Sequence, residues 1–255
     1  MSGAPLLELR GVEKSFGANR VLQGVDLDVA PGSSLVVLGG SGSGKSVMLK
    51  NALGLMTPDA GQVMFDGQDV THEQGREREA MRARVGMLFQ SAALFDSLTV
   101  WENVAFRLIH ADGMGRRDAK DRAVDALKKV RLGASAADLR PAEISGGMQK
   151  RVGLARAIIS QPDLIFFDEP TTGLDPITAD AINDLIIEQV KALGAAAVSI
   201  THDMASARKI ADEIAFLFEG QILWRGPASA IDAPGNAHVD QFVHGRASGP
   251  IQPAM

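Results

Sequence analysis

Gly39-Gly40-Ser41-Gly42-Ser43-Gly44-Lys45-Ser46 sets a run of small residues ahead of a lysine and a hydroxyl, the pattern G-x-x-x-x-G-K-S. Glycines at these places let successive backbone N–H groups turn inward and converge on phosphate oxygens. Lys45 then offers a cation to the outer phosphates and Ser46 a hydroxyl to Mg²⁺, and Val47 continues into a helix whose N-terminus adds its dipole. A flexible Gly/Ser loop has the same composition, so context decides. Residues 35–38 are continuously apolar, as a strand buried on both faces should be, and a helical stretch begins near Lys45.

A second chemical pair, Asp168-Glu169, closes the apolar run 164–167, at the end of a strand where open α/β sheets place their sites. Asp168 is suited to hold a metal, directly or through water, and Glu169 to orient or deprotonate a water that attacks the γ-phosphate. Acidic pairs in such places also serve as plain helix caps. Ser145-Gly146-Gly147, just before Met148, reads as a serine-capped helix start with free N–H groups for an anion, or as a cap with no ligand. His202, after the apolar stretch 195–200, is either a satisfied structural histidine or a contact to phosphate and water.

These residues need elements to hold them. Residues 6–29 alternate apolar and polar side chains, which predicts antiparallel strands with one wet face. Asp66-Gly67 divides a second alternating stretch, 63–70, as a hairpin turn does, and Glu219-Gly220 marks another. Between about 98 and 133 the period becomes helical, with Val124, Leu127 and Val130 on one face. Later the chain alternates strand and helix: 164–167 as strand, then Ile182, Leu185, Ile186, Val190 and Leu193 on one helical face, then 195–200 as strand. Asp175-Pro176 predicts that helix's start and Gly194 its end.

Composition sets the outer limits. With 45% apolar and 22% charged residues among 255, the chain is able to bury a core, and a disordered or collagenous protein is excluded. Zero cysteines remove disulfides, thiolate metal sites and cysteine nucleophiles, and a pI of 5.6 with net charge -5 argues against a general nucleic-acid surface. No apolar run approaches the roughly 20 residues of a membrane span, and residues 1–12 lack the pattern of a secretory leader, so a cytosolic location is expected.

Six motifs now stand in one order: the phosphate loop, Gln90 after Leu88-Phe89, Ile144-Ser145-Gly146-Gly147-Met148-Gln149, Asp168-Glu169, Gly173-Leu174-Asp175, and Thr201-His202-Asp203. Across roughly residues 6–227 the chain resembles the nucleotide-binding domain of ABC ATPases. The resemblance implies an α/β fold: a P-loop domain over 5–230 with a RecA-like core, an antiparallel β subdomain and an α-helical subdomain at about 96–153, then a tail, 231–255, that contacts another subunit. It implies ATP and Mg²⁺ as cofactors, with Gly39, Gly40, Ser41, Gly42, Ser43, Gly44, Lys45, Ser46 and Val47 on the nucleotide and Phe16 stacked on adenine. Ser46, Gln90 and Asp168 would serve the metal, while Glu169 is the base and His202 the switch. It further implies a head-to-tail dimer in which Ser145, Gly146, Gly147 and Met148 of one copy close over the γ-phosphate held by the other, with Asp175 in the D-loop. Met148 departs from the glutamine that many such signatures carry, which puts rate or partner coupling in question more than nucleotide binding.

Residues 90–105 hold more large apolar groups than a solvent loop needs, among them Leu94, Phe95, Leu98 and Trp101. They either seat a partner's helix or fill the join between subdomains. This stretch, with 239–245 and Gly249-Pro250, resembles ATPases of Mla-type lipid transporters. That implies phospholipid as cargo, a membrane permease and an MCE-domain lipid-binding protein as partners, a STAS-domain protein as a further one, no nucleic acid, and a peripheral place on the cytoplasmic face of the inner membrane. Phe242 and Val243, isolated among glycines and prolines, are expected to pack on another subunit. Two other functions share the same motor. A small-solute importer would bring a solute-binding protein; a repair or translation ATPase would need a coiled-coil insertion, a second ATPase domain or a basic face, none of which the sequence displays.

Overall fold

The alternating opening folds as expected into two antiparallel strands, with Leu7 opposite Val29, Leu9 opposite Leu27 and Val12 opposite Val25, so that the apolar positions share one face. In chain order the elements are β1 (Leu7–Phe16), β2 (Asn19–Val29), β3 (Ser34–Leu38), α1 (Lys45–Ala52), β4 (Ala60–Phe65), β5 (Gln68–Asp69), α2 (Arg76–Ala83), β6 (Val85–Leu88), α3 (Val100–Val104), α4 (Phe106–His110), α5 (Arg116–Lys129), α6 (Gly146–Ile158), β7 (Leu164–Asp168), α7 (Pro176–Leu193), β8 (Ala196–Thr201), α8 (Met204–Ile210), β9 (Glu213–Phe218), β10 (Gln221–Pro227) and α9 (Ala237–Val243). The computed structural model describes residues 4–252. Met1, which begins the stretch read as leaderless, and Pro253, near the end of the tail, lie outside them. The chain divides into two units, Met1–Glu79 with Val198–Met255, and Ala80–Ala197.

The first unit contains an antiparallel sheet in the order β2-β1-β4-β5. Asp66 and Gly67, both at positive φ (52° and 76°), make the turn between β4 and β5 that the Asp-Gly pair predicts. Beside it the order runs β10-β9-β3, with residues 198–201 of β8 on the far side of β3. β3 and β9 pair in parallel, Val36 with Ile214 and Leu38 with Phe216. Their buried side chains pack against Ala207 and Ile210 of α8.

The tail completes this core, which corrects the expectation for Phe242 and Val243. Val239 and Val243 are buried with Phe216 and Ile231, and the Phe242 ring stands 5.1 Å from that of Phe216. The apolar face of α9 is therefore spent within its own chain. Gln241 clasps the segment beyond the helix: its amide accepts from the Ile251 N–H at 2.7 Å and donates to the Ile251 carbonyl at 3.0 Å.

The second unit pairs β6 and β7 in parallel, Val85 with Leu164 and Leu88 with Phe167, under a helical layer whose core runs from Leu88 and Trp101 through Leu127 and Leu154 to Ile186. β6 and α6 approach closely at two glycines, Gly86 against main chain and Gly153 against a side-chain methyl. A Cβ on Gly86 would lie 2.3 Å from the Ala157 carbonyl oxygen, and one on Gly153 would lie 2.6 Å from Leu88 Cδ1. α3 begins with a full capping box, Thr99 with Glu102, and buries Trp101, whose ring carries the Arg116 guanidinium at 5.0 Å. Trp101 is thus core, whereas Phe95 stays 45% exposed. Asp175 caps α7 by accepting from the N–H groups of Ile177 and Thr178, and Gly194 ends it in the left-handed conformation (φ 63°), both as the sequence predicts. Among the described residues no helix is long and apolar enough to cross a membrane.

Candidate functional site

In the first unit β3 delivers a fully buried strand straight into the phosphate-loop sequence. Gly39 packs against the neighbouring strand so tightly that a Cβ would meet the Leu217 carbonyl oxygen at 2.3 Å. Gly42 (φ 77°) and Gly44 (φ 106°) adopt backbone angles that other residues rarely take, and Gly44 then starts α1 with its carbonyl accepting from Met48. The Lys45 ammonium folds back over the loop and donates to the Gly39 and Gly40 carbonyls, each at 2.7 Å. It is held at the loop rather than in solvent. Ser43 is buried, Gly40 and Val47 are half-buried, and Ser41, Gly42 and Ser46 are exposed. A concave loop, a seated ammonium and the N-terminus of an eight-residue helix are what a polyphosphate requires.

Phe16 ends β1 with 49% of its surface exposed, so it is not a core residue; the Lys14 ammonium stands 5.9 Å from its ring centroid. His202 follows β8 and is exposed. Its neighbour Asp203 is committed to structure, accepting from the N–H groups of Ala205 and Ser206 at the start of α8. That cap fixes the turn on which His202 sits.

In the second unit Asp168 and Glu169 leave the end of β7, half-buried. Glu169 is left-handed (φ 47°), a conformation uncommon outside glycine. Three contacts hold it there. Its carbonyl accepts from the Lys150 ammonium at 3.1 Å and from the Thr172 N–H at 3.3 Å, and its carboxylate accepts from Thr172 Oγ1 at 2.9 Å. The Lys150 ammonium also donates to the Gln90 carbonyl, so the candidate metal-sensing glutamine and the candidate base share one tether. Lys150 is only 5% exposed; burial pushes its amine below the usual lysine value, and the Asp168 and Glu169 carboxylates partly offset that. Six residues along α6, Arg156 donates to the Ala92 and Ala93 carbonyls, both residues being left-handed themselves (φ 58° and 45°).

The N-terminus of α6 is the signature sequence. Ser145 is exposed and accepts from the Met148 N–H at 3.3 Å, as a serine cap should; Gly146 is also exposed, while Gly147 and Met148 are half-buried. A Cβ at Gly147 would press on Thr178 Cγ2 at 3.0 Å. Asp175 and Ile177 lie exposed at the start of α7, Ile177 by 83%. Lys150, Gly153 and Arg156 carry no signal in the sequence of their part in this arrangement. Nothing in a lysine or arginine on a helix announces that it will turn inward toward main-chain carbonyls.

Among the described residues no three His, Cys, Asp or Glu side chains gather into a cage for a metal. Mg²⁺ needs none, because it binds by one or two carboxylates with waters and substrate phosphates. The exposed hydroxyl of Ser46 in the first unit, and in the second the exposed amide of Gln90 and the half-buried carboxylate of Asp168, are each oxygen donors of the kind a hard cation accepts.

A family model described as ABC transporter matches residues 22–172, which contain the phosphate loop, Gln90, the signature and the acidic pair. The intermembrane phospholipid transport system ATP-binding protein MlaF of Escherichia coli is 37% identical over 250 residues, 98% of this chain and 93% of that protein. The probable ribonucleotide transport ATP-binding protein mkl of Mycobacterium leprae is 37% identical over 245 residues, 96% of this chain and 70% of its own. A dimeric ATP-binding cassette solved in a post-hydrolysis state with ADP and Pi superposes with a TM-score of 0.80 at 31% identity, covering 87% of this chain and 98% of that one. The two units, with the phosphate loop and the acidic strand end they carry, are those of an ATP-binding cassette, and the chain belongs to the ABC transporter family.

Proposed function

We propose that this chain is the ATP-hydrolysing subunit of an ABC transporter that moves phospholipid between the inner and outer membranes. The observation that carries the motor is the loop at residues 39–46 with its seated Lys45. Likeness to MlaF along 93% of that protein supports the cargo. The loop's N–H groups and Lys45 bind the phosphates, and Phe16 stacks on the adenine. Ser46, Asp168 and Gln90 would hold Mg²⁺, which would supply charge neutralisation at the phosphate oxygens. Glu169 accepts a proton from the attacking water, whose position His202 fixes beside the γ-phosphate. Phosphoryl transfer asks a protein mostly for positioning and charge, and each of these groups supplies one or the other.

A second copy of the chain completes the reaction by presenting Ser145, Gly146, Gly147 and Met148 to the γ-phosphate, while Asp175 lies in the contact between copies. The pair works beneath a permease on the cytoplasmic face of the inner membrane, in a complex with an MCE-domain protein and a STAS-domain protein. The ABC domain spans 5–230, with its helical subdomain at about 96–153, and residues 231–255 reach a neighbouring subunit through surfaces other than the buried face of α9. A second reading, a small-solute importer's ATPase, draws support from the ribonucleotide transport named for mkl.

Affinity purification of the tagged Glu169→Gln chain from detergent-solubilised native membranes, with mass spectrometry of partners and lipids, separates the two. A polytopic permease with an MCE-domain protein and bound phospholipid is the expected catch. A periplasmic solute-binding protein in its place refutes the lipid reading and leaves the motor standing. In the same preparations Glu169→Gln retains nucleotide and stalls hydrolysis, whereas Lys45→Ala loses affinity itself.

A further inference from the structure

Glu169 holds an uncommon backbone conformation, and its base chemistry depends on where that backbone aims the carboxylate. The side chain that reaches it is a buried lysine from the helix that begins with the signature. Lys150 spends its N–H groups on the carbonyls of Glu169 and Gln90, not on a carboxylate. The tie to the carbonyl acts on the backbone of Glu169 and so orients the residue, while the carboxylate accepts from Thr172 Oγ1. Burying an ammonium is costly, and a neutral donor would serve a purely structural link equally well. Here the two carboxylates of the acidic strand end offset part of that cost.

We propose that Lys150 is a positioning residue for hydrolysis, tying the backbone of the metal-sensing Gln90 and of the base Glu169 to helix α6, so that seating of the signature and of the glutamine segment sets the aim of the base. The inference rests on the reading of Glu169 as base. α6 places Lys150 one turn beyond the signature residues, so a displacement of the helix start is carried to both carbonyls by a single side chain. Gly153, one turn further on, lets Leu88 of β6 lie against the helix.

The test compares steady-state hydrolysis and equilibrium ATP binding for the full chain and its Lys150→Met, Lys150→Gln and Lys150→Arg variants, with Glu169→Gln as reference and thermal melting as a check on folding. Misaiming a reacting group by about 1 Å costs up to about a hundredfold in rate, so the Met variant is expected to lose about tenfold or more in kcat. KM and ATP affinity stay within about twofold, because the phosphate loop is untouched. Lys150→Arg, which keeps charge and donors, recovers to within about threefold of the parent, and Lys150→Gln falls between, providing an uncharged probe should the Met variant fold poorly. Parent-like kcat in the Met and Gln variants, with Glu169→Gln inactive, overturns the role of Lys150 and leaves the base in place. Parallel loss of kcat, affinity and melting temperature in all three Lys150 variants marks it as a fold residue and likewise overturns the proposal. Normal turnover in Glu169→Gln removes the base assignment and the inference with it.

Discussion

Replacing Gly86 by alanine adds one methyl group at the closest glycine approach of the second unit. Its Cβ would sit 2.3 Å from the Ala157 carbonyl oxygen and 3.1 Å from Pro162 Cγ. Carbon and oxygen ordinarily approach to about 3.3–3.6 Å, so β6 and α6 must part by roughly 1 Å. The obstacle is helix backbone, which has no rotamer to change, and the strain falls at the upper end of the overpacking range, about 2–3 kcal/mol. At about 2–4 °C per kcal/mol for a chain of this size, the melting temperature should fall by about 4–12 °C. β6 runs on through Leu88 to Gln90, so the same shift loosens the tether at Lys150 and hydrolysis falls as well. Gly133→Ala is the matched control: its Cβ would meet only Ser135 Oγ at 3.6 Å and its φ of -69° suits alanine, so it should be neutral or stabilise by up to about 1 kcal/mol. Differential scanning calorimetry of the two variants beside the parent decides the matter. If Gly86→Ala melts no lower than Gly133→Ala, the close approach of strand and helix is not a constraint and the reasoning is refuted.

Three further outcomes are expected from the geometry. Phe16→Ala should weaken ATP binding by about 5- to 150-fold, since stacking on a base is worth about 1–3 kcal/mol, while melting of the free chain stays unchanged because the ring is half exposed; isothermal titration measures the first and calorimetry the second. The Thr99 N–H, then the Arg116 guanidinium, holds the Glu102 carboxyl below its ordinary 4.5, so its stabilisation is full above that value and is lost as pH falls through the lower folded value; melting curves of the parent and Glu102→Gln should differ at pH 7 and converge in acid. Truncation after Pro234 removes two buried valines, each worth about 1.5–3 kcal/mol, and uncovers Phe216 and Ile231, so urea unfolding should show a loss of several kcal/mol whether or not a partner is present.

Much of the arrangement could be read from residue order because local chemistry and tertiary role agreed. Asp175-Pro176 and Gly194 bound α7, Asp66-Gly67 and Glu219-Gly220 turn hairpins, and Ser145 caps α6, each by an interaction within a few residues. α2 escaped notice because REREAMRA offers one buried side chain, Met81, and so has no apolar stripe to count. β6, four residues long, is too short for its alternation to stand out. The left-handed Ala92 and Ala93 carry no sign in their type, and Lys150 earns its burial from carbonyls 60 and 19 residues away. α9 was misplaced for a related reason: its short patch at Val239, Phe242 and Val243 is too small to announce a core, but it fits one already formed by β3, β9 and α8.

Lys150 and Arg156 grip residues 90–93 by main-chain carbonyls at Gln90, Ala92 and Ala93. A carbonyl is present whatever the side chain, so change at the exposed positions 91 and 95 leaves those anchors intact, while the buried, left-handed Ala92 is held to a small side chain. The mount of the segment is thus fixed while its exposed side chains are free to diverge. A lineage is then able to refit Phe95 and its neighbours to a changed partner one mutation at a time, without passing through forms in which the glutamine beside them has come loose.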